Sequence, residues 1–452
     1  MTATRPSPTS HLVRLTAAQT AGQAGTWAGY TAALPTALSQ THPAVVVSII
    51  TAAWTIPSIF AWLAGSLIDR HGPRRTGAAA WSLATLAALV PAATRPTLPV
   101  LIPVLAVLAL GSTWAVAAGE AAPTWMPSRP HPATAGTALA AATNLTLIIG
   151  PAGAANLLTY TSDRAAWALV AALSLTAALT TLRIPATAPP PAASDSQPPG
   201  QDPAMVRAVL AITAGFYLTL GLITVAEPLY VRQLLRAGLP VYGWLLAAVG
   251  AAGILTSITA GHRDTIITGR WAVPAAALTV AAGETLYLTT PILACAFTGA
   301  AVFGTGSTLF RLSTRAIIVR NTPGGQHGRA LSGWETVQCL PSVVSTAATG
   351  PLISLFGLHA VLRGCSALAI VTAAATLRPT RPKATRYRYH TTHPAADPPP
   401  VTPQEAAPHR ASQWPTLPGT PPISGTCWPP PGPPIPNPAR YRLPRPGQTR
   451  SS

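Results

Sequence analysis

The sequence predicts an all-helical membrane protein, with twelve transmembrane helices in two pseudo-symmetric six-helix bundles and a disordered Pro-rich C-terminal tail. Three observations carry this. Of the 452 residues 49% are hydrophobic and only 9% are charged, whereas soluble domains carry about 25% charged residues. Twelve stretches approach the roughly 20 mostly apolar residues that a span needs. Landmarks of the first half of the chain recur in the second at a nearly constant offset, as in a repeat.

In chain order the spans are read at 12–34, 43–67, 76–94, 97–119, 134–160, 164–183, 205–227, 241–261, 270–289, 292–316, 329–354 and 358–377. Many are rich in Ala, Gly and Thr rather than Leu. Such residues lower the hydropathy of a span but let helices approach closely. A Pro-rich linker at 184–203 divides the spans into two sets of six, giving bundles at 1–183 and 204–378. From 379 to 452 the composition changes again, and 21 of the 50 prolines fall there. Such a segment cannot bury a core and is expected to be disordered, partly polyproline II. Two readings of this tail stand, a docking segment for a partner or an unconstrained extension. Its basic start, Arg378 to Arg388, is expected to attract anionic lipid.

The formal net charge of +18 is carried almost wholly by arginine, with Lys383 the single lysine. That bias, with so much Ala, points to a GC-rich bacterial genome. The arginines are scattered between spans and form no single patch, so nucleic acid is not an expected partner. With the N-terminus placed in the cytoplasm, inside connections hold Arg70, Arg74, Arg75, Arg129, Arg183, Arg207, Arg263, Arg270, Arg320 and Arg329. Outside connections hold only Arg95, Arg164, Arg232 and Arg236. The positive-inside rule then predicts a multi-pass protein of the plasma membrane with both termini cytoplasmic. The first ten residues are polar and the first span is too long for a signal-peptide core, so no cleavable signal is expected. The four cysteines lack metal-ligand spacing and read as small apolar residues. No metal, cofactor, nucleotide-binding loop or catalytic triad is expected, and the chain reads as a non-enzyme.

The repeat is specific in four places. Gly111-Ser112-Thr113 recurs as Gly306-Ser307-Thr308, Asp69 as Asp264, Gly65 as Gly261, and Gly150-Pro151 as Gly350-Pro351, at offsets of 195 to 200. Two halves in the same orientation imply a two-fold axis along the membrane normal, with a site between them that opens alternately to either side.

The densest charge in the apolar region lies between spans two and three, at Gly65-Ser-Leu-Ile-Asp69-Arg70-His-Gly72-Pro-Arg74-Arg75. This stretch is similar to the loop signature G-x-L-x-D-R-x-G-R-R of the major facilitator superfamily. Gly65, Asp69, Arg70, Gly72 and Arg74 match, and Pro73 stands where a basic residue is common. With the twelve spans and central linker, the chain resembles that superfamily over roughly 12–378. The resemblance implies that this loop couples helix ends on the cytoplasmic side and steadies the outward-open state. Gly65 would permit close helix approach, Gly72 a tight turn, and Asp69 would accept hydrogen bonds or pair with arginine. Arg75 reads as an ordinary positive-inside residue, and Gly261-His262-Arg263-Asp264 as a degenerate copy.

Gly150-Pro151, repeated as Gly350-Pro351, partly matches the G-P-x-x-G-G signature found in the fifth span of exporters of the superfamily, and Ala154 and Ala155 replace its last glycines. These positions are expected to bend or closely pack their helices. The basic residue found in the fourth span of many proton-coupled members is absent here. Glu120, Arg311, Arg315 and Glu335 are instead expected either to cluster at the cytoplasmic end as a network between the halves or to snorkel separately to the interface. Glu227 before Pro228 is a candidate proton or cation site or an interfacial helix-end residue. Glu284, in a span peripheral in the family, is a lesser candidate. In the family, spans one, four, seven and ten line the cavity. The resemblance therefore nominates Gln19, Gln23, Trp27, Tyr30, Trp114, Tyr217, Phe303 and Phe310 alongside Glu227. Aromatics with a few amides suit an uncharged or cationic organic ligand, while ordinary helix packing is the competing account of each.

The reading that results is a monomeric secondary transporter that exports a small organic molecule, a drug or metabolite, by proton antiport. An importer or uniporter, and a non-transporting sensor or scaffold using the tail, are the alternatives.

Overall fold

In a computed structural model, residues 8–377 are described except 95, 127–129, 131, 186–202, 263 and 323–326. No strand occurs among the described residues. The helices are α1 (Pro8–Leu38), α2 (Pro43–Thr55), α3 (Ala61–Ala93), α4 (Leu98–Ala121), α5 (Pro132–Tyr160), α6 (Asp163–Leu182), α7 (Pro203–Gln233) and α8 (Leu239–His262). They are followed by the short α9 (Asp264–Thr268) and by α10 (Ala272–Thr289), α11 (Leu293–Arg320), α12 (His327–Phe356) and α13 (Leu358–Thr376).

The second span differs from its expected form. It comprises α2, a 3-10 turn at Ile56–Phe60 and the start of α3. Pro57 interrupts the regular ladder there, since it has no amide hydrogen to donate. The third span follows without a connecting loop. Gly72 alone breaks α3, with φ 77° and ψ 157°, a region of backbone space that is essentially confined to glycine. Gly357 makes the same turn between α12 and α13, with φ 81° and ψ 159°. Taking α2 with the first part of α3 as one span, the rest of α3 as the next and α9 as none, the described residues form twelve spans. Ten helical runs pass on length and apolarity together, one of them Pro43–Ala93, which holds spans two and three; α1 is the polar remainder.

Threonine-rich helices can live in a bilayer because their hydroxyls are internally satisfied. Thr85 donates to the Trp81 carbonyl at 2.9 Å, Thr176 to Ala172 at 2.8 Å and Thr279 to Ala275 at 2.8 Å. Each bond returns one turn down the same helix, so these donors need no partner from the hydrocarbon. The outer surface is correspondingly apolar. Leu86, Leu255 and Val371 are 63–67% exposed, which suits a lipid-facing belt. The interior is built from alanine and aromatic rings, with Trp81, Trp167, Tyr30, Tyr230 and Tyr287 fully enclosed.

The linker at 186–202, the charged groups of the second-half loop at 261–264 and the tail from 378 onward lie outside the described residues or side chains.

Candidate functional site

The halves meet along two seams. On one, α5 packs on α8 and α11. Asn144 of α5 donates through Nδ2 to Ser257 Oγ at 3.4 Å and accepts from Thr308 Oγ1 at 3.3 Å. Thr308 is the last residue of the second Gly-Ser-Thr copy. On the other seam α2 packs on α12, and Ser48 joins them. Its hydroxyl donates to the Thr346 carbonyl at 3.0 Å and accepts from the Gly350 amide at 2.6 Å. One side chain thus bridges the two backbone groups of a single helical turn. Gly350 is what lets it in: a Cβ there would stand 2.7 Å from Ser48 Oγ and 2.8 Å from the Ala44 carbonyl oxygen.

Near the same end of the bundle, Tyr30 of α1 donates to the Thr224 carbonyl of α7 at 3.1 Å and lies 2.9 Å from Thr51 Oγ1. Arg232 Nη1 donates to the Leu38 carbonyl at 2.9 Å. The rings of Trp27 and Tyr30 pack on Trp54, with centroids 4.7 and 4.9 Å away. Glu227, buried nearby, accepts from the Tyr287 hydroxyl. This end is sealed by buried hydrogen bonds and rings. A shallow pocket of about 240 Å³ lies outside the seal, lined by residues such as Leu38, Arg232 and Tyr242.

The opposite end is built differently. Arg315 Nη1 of α11 lies 3.3 Å from Glu120 Oε1 of α4, and both side chains are about 30% exposed, at 29% and 27%. It is the one ion pair among the described residues. Arg311, one helical turn before Arg315, lies within electrostatic reach of Tyr217, Glu335 and Glu120. Glu335 in turn senses Glu120, Arg311 and Arg315. The four charged residues therefore lie at the same end of α4, α11 and α12, near Tyr217 of α7. The network expected there is only partly made: Glu120 and Arg315 pair, while Arg311 and Glu335 stay half-buried and unpaired.

The remaining nominated residues divide by what they touch. Gln19 is 3% exposed and donates to the Ala115 carbonyl at 3.0 Å, so it packs α1 on α4. Gln23 reaches back to Gln19 at 3.5 Å. Trp114 donates to the Phe60 carbonyl at 3.2 Å, a group exposed by the irregular turn before α3. Tyr217 stands edge-on to Phe216 at 5.1 Å, and Phe216 packs on Phe310 at 4.6 Å. Phe303 and Phe310 lie in the packed core. In this conformation Tyr30, Glu227, Phe303 and Phe310 are thus enclosed by neighbours, and Gln23, Trp27, Trp114 and Tyr217 remain half-exposed.

Among the described residues the loop signature makes no ion pair. Asp69, Arg70 and Arg74 are exposed, and no described residue forms an ion pair with Asp69. A Cβ at Gly65 would meet nothing within 4 Å. By contrast a Cβ at Gly150 would stand 2.4 Å from the Ala24 carbonyl oxygen, so that glycine does hold α5 against α1. Both α5 and α12 continue as helix through Pro151 and Pro351.

Sequence reasoning missed Ser48, Trp54, Asn144 and Gln338. Asn144 carried a signal, as one of the two amides, with Asn156, of an apolar span. Ser48 carried none, because its role depends on a glycine some 300 residues away. Among the described residues no three His, Cys, Asp or Glu side chains converge as a metal site.

Comparison with known proteins follows the same lines. The family model described as Major Facilitator Superfamily matches twice, over residues 17–212 and 209–408. No curated protein matches the chain in sequence. The solved structure of the human organic anion transporter MFSD10 (TETRAN) superposes with a TM-score of 0.62, at 15% identity, over 82% of this chain and 100% of that one. At that identity the likeness concerns the fold alone. Two family matches that together cover most of the chain, on a twelve-helix bundle of repeated halves, establish that this protein belongs to the major facilitator superfamily.

Proposed function

We propose that the chain is a secondary active transporter that exports a small organic molecule by alternating access, in exchange for protons. The observation that carries this reading is the contrast between the two ends. One is closed by part-buried hydrogen bonds across α1–α7 and buried ones across α2–α12. At the other, the ion pair seen among the described residues is single and partly exposed. Partly exposed pairs contribute little, about 0–1 kcal/mol, so the charged end is the one poised to part.

The arginine distribution sets the charged end in the cytoplasm and the sealed end outside. The exposed state of Asp69 and Gly65 agrees with this, because a loop that steadies the outward-open state has nothing to hold while the outer end is sealed. Gly150-Pro151 supports export. Glu227 supplies a place to hold a proton: it is a carboxyl 5% exposed, on a helix that crosses the seal, with a tyrosine hydroxyl donating to it. Opening the seal would admit water to this carboxyl, and closing it would withdraw it.

Transport into inside-out vesicles, with a panel of organic compounds and an imposed pH gradient, tests the reading. An acid vesicle interior should speed uptake of the substrate, and a protonophore should abolish the gain. Uptake that ignores the gradient contradicts proton antiport. Accumulation only in right-side-out vesicles contradicts export.

A further inference from the structure

We propose that Arg311 and Glu335 are the two poles of the substrate site, and that the substrate is a zwitterion bearing a carboxylate and an ammonium on one small, partly aromatic body. The proposal rests on the transporter reading above and names the substrate class at the same charged end.

Arg311 and Arg315 are four residues apart on α11, so they share a helix face. Arg315 is satisfied by Glu120. Arg311 has no ion pair or side-chain hydrogen bond, although its guanidinium carries five donors. Glu335 likewise forms no ion pair among the described residues, although Arg311 is within electrostatic reach. Charged groups within a bilayer ordinarily pair or face water. Two opposite charges on neighbouring helices, neither of them in an ion pair among the described residues, can be answered together by a ligand that carries both signs.

A second observation points the same way. Gln338, three residues after Glu335 on α12, is 6% exposed, and its Nε2 has no acceptor. A buried amide donor without a partner is an unfilled requirement, and a ligand carboxylate meeting Arg311 would supply the missing acceptor. The ring of Tyr217, backed by Phe216 and Phe310 and within electrostatic reach of Arg311, offers a surface for an apolar body. An anion alone would leave Glu335 unanswered, and a cation alone would leave Arg311 so. A zwitterion answers both.

The test is equilibrium binding to the purified full chain in nanodiscs. The probes are phenylalanine and leucine, the methyl ester of phenylalanine, which keeps only the ammonium, and N-acetylphenylalanine, which keeps only the carboxylate. The amino acid should bind at least about tenfold more tightly than either blocked form, since a site built for a polar group rejects the analogue that lacks it. Arg311→Gln should erase the preference over the ester, and Glu335→Gln the preference over the N-acetyl form. Both substitutions remove an unpaired charge, so correct assembly is expected and is checked by size-exclusion profile. Failure of both amino acids to bind, or equal binding of phenylalanine and its ester to the unsubstituted chain, overturns the proposal. If another panel compound is then carried into vesicles, the transporter reading survives and only the substrate class falls. If the zwitterion binds and nothing crosses, the site stands and the transport reading falls.

Discussion

Ser48 ties α2 to α12 at the sealed end. Its hydroxyl serves as donor and acceptor to two backbone groups of α12. Ser48→Ala removes both bonds at a buried position and should cost about 1–2 kcal/mol. A lowered thermal midpoint, together with faster labelling of a cysteine placed at the seal, would show it; an unchanged midpoint would mean that the bridge is incidental. Glu227 makes a different prediction. Glu227→Gln keeps an acceptor for Tyr287 but cannot exchange a proton, so the seal should persist while the response of transport to a pH gradient disappears. Glu284 is fully enclosed, and neither of its oxygens has a partner. Burying such a group is costly, so Glu284→Leu should leave stability unchanged or raise it in a thermal melt. A loss of several degrees would reveal a contact not seen in this conformation.

At the scale of elements, two backbone features decide how helices join. Gly72 and Gly357 occupy conformations that residues with a Cβ avoid. Around Gly72 there is room, since a Cβ would find its nearest neighbour, Trp125, at 3.7 Å. Gly72→Ala should therefore destabilise through strain rather than collision, by about 1–3 kcal/mol, measured as a fall in the thermal midpoint. Gly350→Val should act by collision and push α2 off α12.

The turn at Gly72 was legible in the sequence, because glycine within a charged cluster between two apolar runs has few other uses. The close approaches at Gly150 and Gly350 were also legible, as a repeated Gly-Pro pair. The 3-10 turn after α2 and the unbroken passage from span two to span three were not. Hydropathy marks where a chain is apolar, not where its axis bends. At the charged end the sequence nominated four residues. It could not tell that Arg315 would take Glu120 and leave Arg311 and Glu335 apart, because that choice depends on where α4, α11 and α12 stand relative to each other.

For the whole molecule, the asymmetry between the two ends is the functional statement. The repeat supplies two similar halves, yet among the described residues they are joined unequally, by hydrogen bonds to backbone groups at one end, by Asn144 along the α5–α8 seam, and by one ion pair at the other. In an alternating-access protein the two ends open in turn, so their separations must be anticorrelated. Paired spin labels measure this directly, at Gln40 and Arg236 for the sealed end and at Thr124 and Arg320 for the charged end, all exposed, on a cysteine-free background. Double electron–electron resonance should show a short distance across the sealed end coexisting with a longer one, and every shift of population toward the longer distance should shorten the separation at the charged end. A single fixed distance at each end, or both ends widening together, would contradict alternating access.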